Sequence, residues 1–324
     1  MKKLHTSLAL SLLLCCSLIA QQAQIREHIT NVFEGNCIRH AFDRDILNQD
    51  VLFSIKLIDS MVRLDTFYRC TKERVLPTSF SLLSFSDSSN YDETMAFLIR
   101  YLSDTSISNR VTLLNNFVSS IWHRHMRIFN RFDYSTSVVA KEFIGSPLFY
   151  ESTSPRVPLL ISYTQENNSE KINDLRNWGR SHDLSDLARE NLTVALLRLE
   201  DSEIVDSFRK NIPETDREWD DYLRMLDFAR NESAVSILAS LLDNKDIIFS
   251  HQWDENIEYA TIRSFALSIL STMIENFPVP FHRFPPTSGD KNNPEEHPEE
   301  YFESAKQFLR EREFIINRRP PFSF

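Results

Sequence analysis

The sequence predicts an all-α protein, a right-handed superhelical stack of antiparallel helix pairs (an α-α solenoid). Three observations favour this fold. Between Asp183 and Phe277, apolar residues recur at helical spacing in five successive stripes, and the joints between the stripes are short and carry helix-capping residues. The chain of 324 residues also has only 4 glycines. A helix with one apolar stripe buries it against a neighbour, and short joints make consecutive helices antiparallel neighbours.

Each stripe has apolar residues three or four positions apart, which places them on one face of a helix. We expect these faces to pack together as the core of the stack. The five stripes are Leu184, Leu187, Ala188, Leu192, Ala195, Leu196 and Leu199; Ile204, Val205, Phe208 and Ile212; Trp219, Tyr222, Leu223 and Leu226; Val235, Leu238, Ala239 and Leu242; and Ile262, Phe265, Ala266, Ile269, Leu270 and Met273.

The joints between the stripes contain residues that favour helix starts. Asp201 can cap the helix that follows it, because a side-chain oxygen accepts hydrogen bonds from the free N–H groups of a first turn. Thr215 and Glu218 have the spacing of a capping box, and Pro213 ends the preceding helix. Asn231 can cap the fourth helix. These joints predict where each helix begins.

A repeat links the first and last stripes. Arg189 and Arg263 lie 74 residues apart (263 − 189), and this alignment pairs Leu196 with Leu270. The interval equals two units of about 37 residues, within the range of helix-pair repeats. The sequence therefore predicts repeated helix pairs in this part of the chain.

Three segments of this region resemble the HEAT-repeat family. The segment ARENLTVALLRLEDSEIV resembles the second helix of a HEAT repeat, its Asp-containing turn and the first helix of the next repeat. IRSFALSIL resembles the second helix again, and NESAVSILASLLDNKD is similar to a first helix. The resemblance covers about residues 155–277. It implies an armadillo-like helical-repeat fold for residues 136–277 and a protein partner, and it implies no catalytic residue.

Residues 1–20 have the features of a secretory signal. Two lysines precede an apolar run that ends at Ala20 and is too short for a typical membrane span. We expect cleavage after Ala20 or Ala23; the alternative is lipid attachment at Cys15 or Cys16, which would anchor the protein. No later run is long and apolar enough to span a bilayer. The sequence therefore predicts an exported protein, either periplasmic or extracellular.

The composition excludes several classes of function. The formal net charge is −10, and an acidic chain does not favour nucleic-acid binding, which needs cations on the phosphates. Hydrophobic residues make up 42% of the chain, enough for a sizeable core. Nucleotide-binding βαβ folds use glycine in phosphate loops, and this chain has too few glycines to build them. We expect no cofactor.

The N-terminal half, residues 21–135, is also predicted to be helical. It includes a long helix over Ser108–Phe129. Proline and glycine residues between Asn130 and Pro158 break the pattern, a short extended segment is expected around Ser137–Phe143, and the boundary between the halves falls in this break. The inward-facing residues are predicted as Val51, Ile55, Ile58 and Val62; Met95, Leu98, Ile99 and Leu102; and Val111, Leu114, Val118 and Ile121.

The composition changes after the repeats. Residues 278–298 are rich in proline and polar residues and predict a linker in which His282 and His297 are solvated. Residues 299–324 predict a last helix, ending near Ile316, and a flexible tail. This helix can cover the open apolar face of the final repeat.

The cysteines and histidines offer few candidates for a site. Cys37 and Cys70 are the cysteines that remain after the signal, and in an exported protein they can form a disulfide worth about 3 kcal/mol. Two separate buried thiols are the alternative. His123 and His125 stand two residues apart on a predicted helix and point about 200° apart, so we expect no metal pair there.

A cluster of acids in the third stripe suggests glycoside chemistry. Glu218, Asp220 and Asp221 could include a pair of catalytic carboxylates. Acids in the first turn of a helix are better explained by their interaction with the helix dipole. Three tryptophans near predicted helix ends either line a groove or pack between helices: Trp178, Trp219 and Trp253.

Two functions from different classes remain. The first is an exported, non-enzymatic scaffold whose stacked helices present an extended surface to a protein partner. The second is a secreted, all-helical hydrolase or lyase that acts on a polysaccharide. We favour the scaffold, because the sequence contains no convincing catalytic pair and predicts no catalytic, cofactor-binding or metal-binding residue.

Overall fold

A computed structural model of the chain shows a mostly helical protein with one two-stranded β-hairpin among the described residues. The chain divides into two compact units, Met1–Gln165 and Glu166–Phe324, a division slightly after the break expected from the sequence. The structure describes residues 17–32, 43–47, 49–63, 91–105, 109–126, 137–163, 168–253, 256–280, 285–290, 296–311 and 313–318.

The helices and strands divide between the two units in chain order. The first unit contains α1 (residues 17–32), α2 (Arg44–Leu47), α3 (Val51–Arg63), α4 (Tyr91–Leu102), α5 (Arg110–Met126), α6 (Val138–Ile144), α7 (Pro147–Tyr150) and α8 (Val157–Tyr163). The second contains α9 (Asn168–Ser181), α10 (Asp186–Arg198), α11 (Ser202–Lys210), α12 (Asp216–Ala229), α13 (Glu232–Ser240), β1 (Ile247–Trp253), β2 (Asn256–Thr261), α14 (Ile262–Met273) and α15 (Glu299–Glu311).

The core of the first unit largely follows the predicted stripes. The buried members are Val51, Ile55, Ile58, Met95, Leu98, Leu102, Leu114, Val118 and Ile121. Val111 is 45% exposed, so its prediction as an inward-facing residue was wrong; α5 begins only at Arg110, and Val111 lies in its first turn. Apolar spacing therefore identified the packed faces of α3, α4 and α5, but not where α5 starts.

The break between the predicted halves contains a helix instead of an extended segment. The Ser137 side chain accepts a hydrogen bond from the Ala140 N–H and caps α6, while its hydroxyl donates to Asp92. The prediction of extended structure at Ser137–Phe143 was therefore wrong. A good N-cap outweighed the β preference of the two valines that follow it.

A short segment after α7, residues 151–154, is tied to the side of α5. Asn115 accepts hydrogen bonds from the Ser152 hydroxyl (2.8 Å) and the Thr153 N–H (2.9 Å), and its amide donates to the Thr153 hydroxyl (3.0 Å). Arg110 pairs with Glu151 at the start of the same helix. These contacts fix an irregular segment without secondary structure of its own.

We expect Asn115→Ala to destabilise the first unit by about 1–2 kcal/mol, because three hydrogen bonds are lost and Ser152 is fully buried. Urea denaturation measures the loss, and hydrogen exchange should show faster exchange at the Thr153 amide. Asn116→Ala is the matched control, since Asn116 is exposed on the same helix. Equal stability of the two variants would contradict this account of the segment.

In the second unit, α10 occupies a central position. It packs against α9, α11 and α12, and α12 packs in turn against α13 and α14. A Cβ atom on Gly179 would lie 2.6 Å from Cδ2 of Leu192, so the absence of a side chain there lets α9 and α10 approach closely. Leu187, expected in the buried stripe, is 48% exposed. The buried side of α10 includes Ala188, Ala195 and Leu196 of the predicted stripe, together with Asn191, Val194 and Leu197.

The helix starts predicted in this unit are confirmed. The Asp201 carboxylate accepts from the N–H groups of Glu203 and Ile204 and caps α11. It also pairs with Arg176 of α9 at 2.8 Å, which ties three helices together. Thr215 and Glu218 form both bonds of a capping box at the start of α12.

The packing of α11 on α12 includes a buried tyrosine. The Tyr222 hydroxyl donates to the Phe208 carbonyl at 2.7 Å, and the two rings stack with centroids 5.0 Å apart. Burial raises the pKa of Tyr222 to about 12. Trp219 lies edge-on to the same ring. The third predicted stripe is therefore a packed aromatic core.

The β-hairpin interrupts the helices between α13 and α14 in this mostly helical unit. Its strands pair antiparallel, with Ile247 opposite Thr261 and Ile248 opposite Ala260. Tyr259 and Ser288 exchange two backbone hydrogen bonds of 2.8 and 3.0 Å, so part of the predicted linker pairs with β2. In the sequence, apolar residues recur at alternate positions on either side of Asp254 and Glu255, a pattern that is typical of a hairpin.

The last helix, α15, ends at Glu311. Its buried residues Phe302, Ala305 and Phe308 lie three residues apart, on one face of an amphipathic helix. The expected continuation to Ile316 was wrong, because residues 313–318 are not helical and Ile316 forms an isolated antiparallel β-bridge with Ile274 at the end of α14. We call residues 313–318 the C-terminal strand. Of the predicted flexible tail, Asn317 and Arg318 are thus docked.

Candidate functional site

The cysteines and the histidine pair cannot be placed as sites. Cys37 and Cys70 lie outside the described residues, so the candidate disulfide stays a prediction. His123 and His125 belong to α5, but their side chains also lie outside what the structure describes. In the described parts of the chain, no group of three or more His, Cys, Asp or Glu side chains could hold a metal ion.

Two of the tryptophans pack between helices, as the sequence analysis considered. Trp178 and Trp219 are 2% and 6% exposed, so neither lines an open groove. The side chain of Trp253 is not described. Within the described residues, no helix has both the length and the hydrophobicity needed to cross a membrane.

The described histidines of the second unit, His182 and His297, lie within hydrogen-bonding distance of neighbouring residues. His182 follows α9, where its Nδ1 lies 2.9 Å from the Trp178 carbonyl and its ring packs on Trp178. His297 is only 5% exposed and its Nε2 lies 3.1 Å from the Ser268 hydroxyl, so the prediction of a solvated side chain was wrong. His282 lies outside the described residues.

The acidic cluster of α12 lies on an exposed surface shared with α10. Arg224 pairs with Asp221 at 2.5 Å and with Asp220 at 3.4 Å. Burial lowers the pKa of Arg224, but its hydrogen bond to Asp221 and the charges of Asp220, Asp221 and Glu190 outweigh burial and raise it. Leu187 lies one turn before Glu190 on α10 and is half exposed. We call these five residues the α10–α12 face.

Glu218, the third acid of the cluster, belongs to the cap of α12. Its carboxylate accepts hydrogen bonds from the N–H groups of Thr215 and Glu214, at 3.0 and 3.2 Å. The bonds from Thr215 are the main reason that the pKa of Glu218 is lowered. Glu218 is thus a capping residue, and it does not form a carboxylate pair with Asp220 and Asp221.

Three helices end at one place in the second unit, which we call the C-terminal junction. It consists of the last residues of α10, α12 and α14 and the C-terminal strand. Arg198, at the end of α10, donates to the carbonyls of Phe228 and Ala229 at 3.2 and 3.1 Å. Asn231 donates to the carbonyls of Leu197 and Arg198 at 2.7 and 3.1 Å. The terminal carbonyls of α10 and α12 therefore each accept hydrogen bonds from a side chain at or just after the end of the other helix.

Arg230 joins the junction to α14. Its guanidinium donates to the carbonyl and hydroxyl of Thr272, at 3.2 and 3.1 Å, and to the Asp227 carboxylate at 2.7 Å. Burial raises the pKa of Asp227, against the opposing effect of Arg230. Arg230 has φ 44° and ψ 56°, a left-handed conformation that costs a non-glycine residue free energy. Its contacts with two helices hold this conformation.

The same arginines also bind the C-terminal strand. Arg198 donates to the Arg318 carbonyl at 2.7 Å, and Arg230 donates to the Asn317 carbonyl at 3.4 Å. The strand's backbone pairs with the end of α14, since the Asn317 N–H donates to Met273 (2.7 Å) and Ile315 accepts from Glu275 (2.9 Å). All of these contacts involve the strand's main chain.

The other end of α14 holds α15 through a buried arginine. The Arg263 guanidinium donates to Glu296 and to Glu299 (3.0 Å) and lies 4.3 Å above the ring of Phe302. The hydrogen bond from Arg263 is the largest cause that lowers the pKa of Glu296, and burial opposes it. Residues before and within α15 thus bind the start of α14.

We expect stability to fall with acidification as Glu296 is protonated. Because its pKa is lower in the folded protein than in the unfolded chain, its contribution is present above the ordinary pKa of about 4.5. The contribution is lost as the pH falls through the lower, folded-state value. Urea denaturation between about pH 3 and pH 7 should therefore give a steeper acid dependence for the wild type than for Glu296→Gln. Glu300→Gln, at an exposed neighbour, should follow the wild type; identical profiles for all three would contradict the prediction.

Comparisons with known proteins identify no relative of this chain. No protein-family model, curated protein or solved structure matches this chain. The sequence predicts Asn231 as a cap but not the contacts of Arg198 and Arg230. Both arginines follow or end an amphipathic stripe, where cations often bind the terminal carbonyls of a helix. That position was the signal that could have found them.

Proposed function

We propose that the protein is an exported, non-enzymatic scaffold built of HEAT-like helix pairs, which binds a protein partner through the α10–α12 face. The pairs are α9 with α10, α11 with α12, and α13 with α14. In this proposal α15 covers the open end of the stack. The β-hairpin is an insertion within the last pair.

The C-terminal junction is the observation that carries the repeat assignment. The three helices that end there, α10, α12 and α14, are every second helix of the region, as expected for the second members of consecutive pairs. α10 also packs on α12, and α12 packs on α14. A row of this kind supports a stack in which second helices lie side by side and present one extended surface.

The charge of the α10–α12 face supports a protein partner. Leu187 is a large, half-exposed apolar side chain on the same side of α10 as Glu190. Three carboxylates and one guanidinium make the five residues acidic overall. A fitting partner has an apolar side chain surrounded by basic residues, since electrostatic complementarity gives specificity and fast association.

The scaffold is favoured over the polysaccharide hydrolase or lyase by the bonding of the acidic cluster. Catalysis of that kind needs one carboxyl to act as acid and another as nucleophile or base. Asp220 and Asp221 both pair with Arg224, and Glu218 caps α12. These contacts support a structural and recognition role for the cluster.

Export and binding can be tested together with the full chain. We expect a tagged protein to fractionate outside the cytoplasm and to co-purify with a partner in a fixed ratio after crosslinking. Leu187→Glu should reduce this recovery at least tenfold. Ile212→Glu is the matched control, because Ile212 is 50% exposed in the same unit but outside the face. Retention of the chain in the cytoplasm would refute export, and equal recovery with both variants would refute binding at this face.

A further inference from the structure

The C-terminal strand is held mainly through its main chain. Ile316 pairs with Ile274 as an antiparallel bridge, and two backbone hydrogen bonds flank this pair. Arg198 and Arg230 add donors to the carbonyls of Arg318 and Asn317. An extended main chain of almost any sequence offers the same carbonyl and N–H groups.

The side chains of the strand supply a simple pattern. Phe314 and Ile316 are partly buried and pack against the core of the unit, whereas Ile315 between them is 66% exposed. Alternation of this kind follows from extended backbone, in which neighbouring side chains point to opposite faces. The surface thus has room for two apolar side chains spaced two residues apart.

We propose that the C-terminal junction is a peptide-binding groove which the chain's own C-terminal strand occupies in the free protein, and which takes an extended partner segment with apolar residues at alternate positions. This goes beyond the α10–α12 face and depends on different residues. The left-handed backbone of Arg230 agrees with a binding role, because such strain persists where surrounding contacts impose it, often at ligand-binding positions.

The strand acts as an internal competitor. A tethered segment has an effective concentration of about millimolar, so a free peptide with the same contacts binds only weakly while the strand is docked. Weakening the strand, without changing the groove, should therefore raise the affinity for a peptide in trans. A partner segment that binds more tightly than the strand would displace it.

The test uses the full chain and a fluorescein-labelled synthetic peptide spanning residues 313–318. Ile316→Asp places a charge on the inward side of the strand and leaves the groove residues unchanged. Ile315→Asp is the matched control on the exposed side. We expect Ile316→Asp to bind the peptide at least tenfold more tightly than the wild type or Ile315→Asp. Adding Arg198→Ala to Ile316→Asp should weaken that binding about tenfold.

Each alternative result has a defined meaning. Equal peptide affinity in the three proteins, or binding unaffected by Arg198→Ala, would overturn the groove. A wild-type dimer that forms with rising concentration and disappears in Ile316→Asp would assign the groove to the strand of a second copy. If Ile316→Asp loses its helical circular dichroism, Phe314→Ala takes its place with the same expected result. None of these outcomes affects Leu187, so failure of the groove is distinct from failure of the proposed scaffold.

Discussion

Phe302→Ala is expected to destabilise the second unit by about 3–5 kcal/mol, the largest single effect that we anticipate. The Phe302 ring is fully buried, and its removal leaves a cavity between α15 and α14. It also removes the aromatic face below the guanidinium of Arg263. The Arg263 side chain is itself buried, so the substitution also removes a favourable contact from a buried charge. Urea denaturation of the full chain measures the change.

Two variants of the same helix separate cavity formation from other effects. Ser304→Ala alters an exposed position of α15 and should change stability by no more than about 0.5 kcal/mol. Phe302→Leu keeps most of the buried volume and should lose about half as much as Phe302→Ala or less. A loss below about 1 kcal/mol for Phe302→Ala would show that α15 contributes little to the unit.

Asn231→Ala is expected to cost about 2–3 kcal/mol. The side-chain Oδ1 of Asn231 accepts from the Ala234 N–H at 2.8 Å, and loss of such an N-cap costs about 1 kcal/mol. The substitution also removes the donor to two carbonyls at the end of α10, where Asn231 is 3% exposed. Buried acceptors left without a donor account for the rest. Thermal and urea denaturation both report this loss.

The two roles of Asn231 can be distinguished by substitution. Asn231→Ser keeps an oxygen for the cap and loses the amide donor, so its stability should fall between those of the wild type and Asn231→Ala. Thr215→Ala removes an exposed cap and should cost about 1 kcal/mol or less. If Asn231→Ala lowered the free energy of unfolding no more than Thr215→Ala, the hydrogen bonds to α10 would make no net contribution to stability.

The parts of the fold that local chemistry determines could be predicted from the sequence. The caps at Asp201, Thr215 and Asn231 involve residues within four positions of one another, and the sequence displays them directly. The stripes predicted α10 to α14 for the same reason. Leu187 was misplaced because a regular stripe does not show which neighbour covers each of its ends.

The candidate sites depend on contacts between distant residues. Arg198 and Arg318 are 120 positions apart, and Arg230 and Asn317 are 87 apart, so no local pattern links them. His297 appeared solvated because proline and polar residues surround it in sequence. In the structure its Nε2 lies 3.1 Å from the hydroxyl of Ser268, 29 positions earlier in α14. Local composition indicates the secondary structure that a segment favours, but it does not show which distant residues the segment packs against.

The burial of two asparagines has a practical consequence for producing this protein. Asn191 and Asn231 each begin an Asn-x-Ser/Thr triplet, the acceptor for N-linked sugar. Asn191 is fully buried, and the Nδ2 atom of Asn231, where a sugar would be attached, already donates to two carbonyls. A host that glycosylates nascent chains would modify these residues before folding and leave a bulky carbohydrate where the core must close. Expression in a bacterium that does not attach N-linked sugars avoids that outcome at both residues.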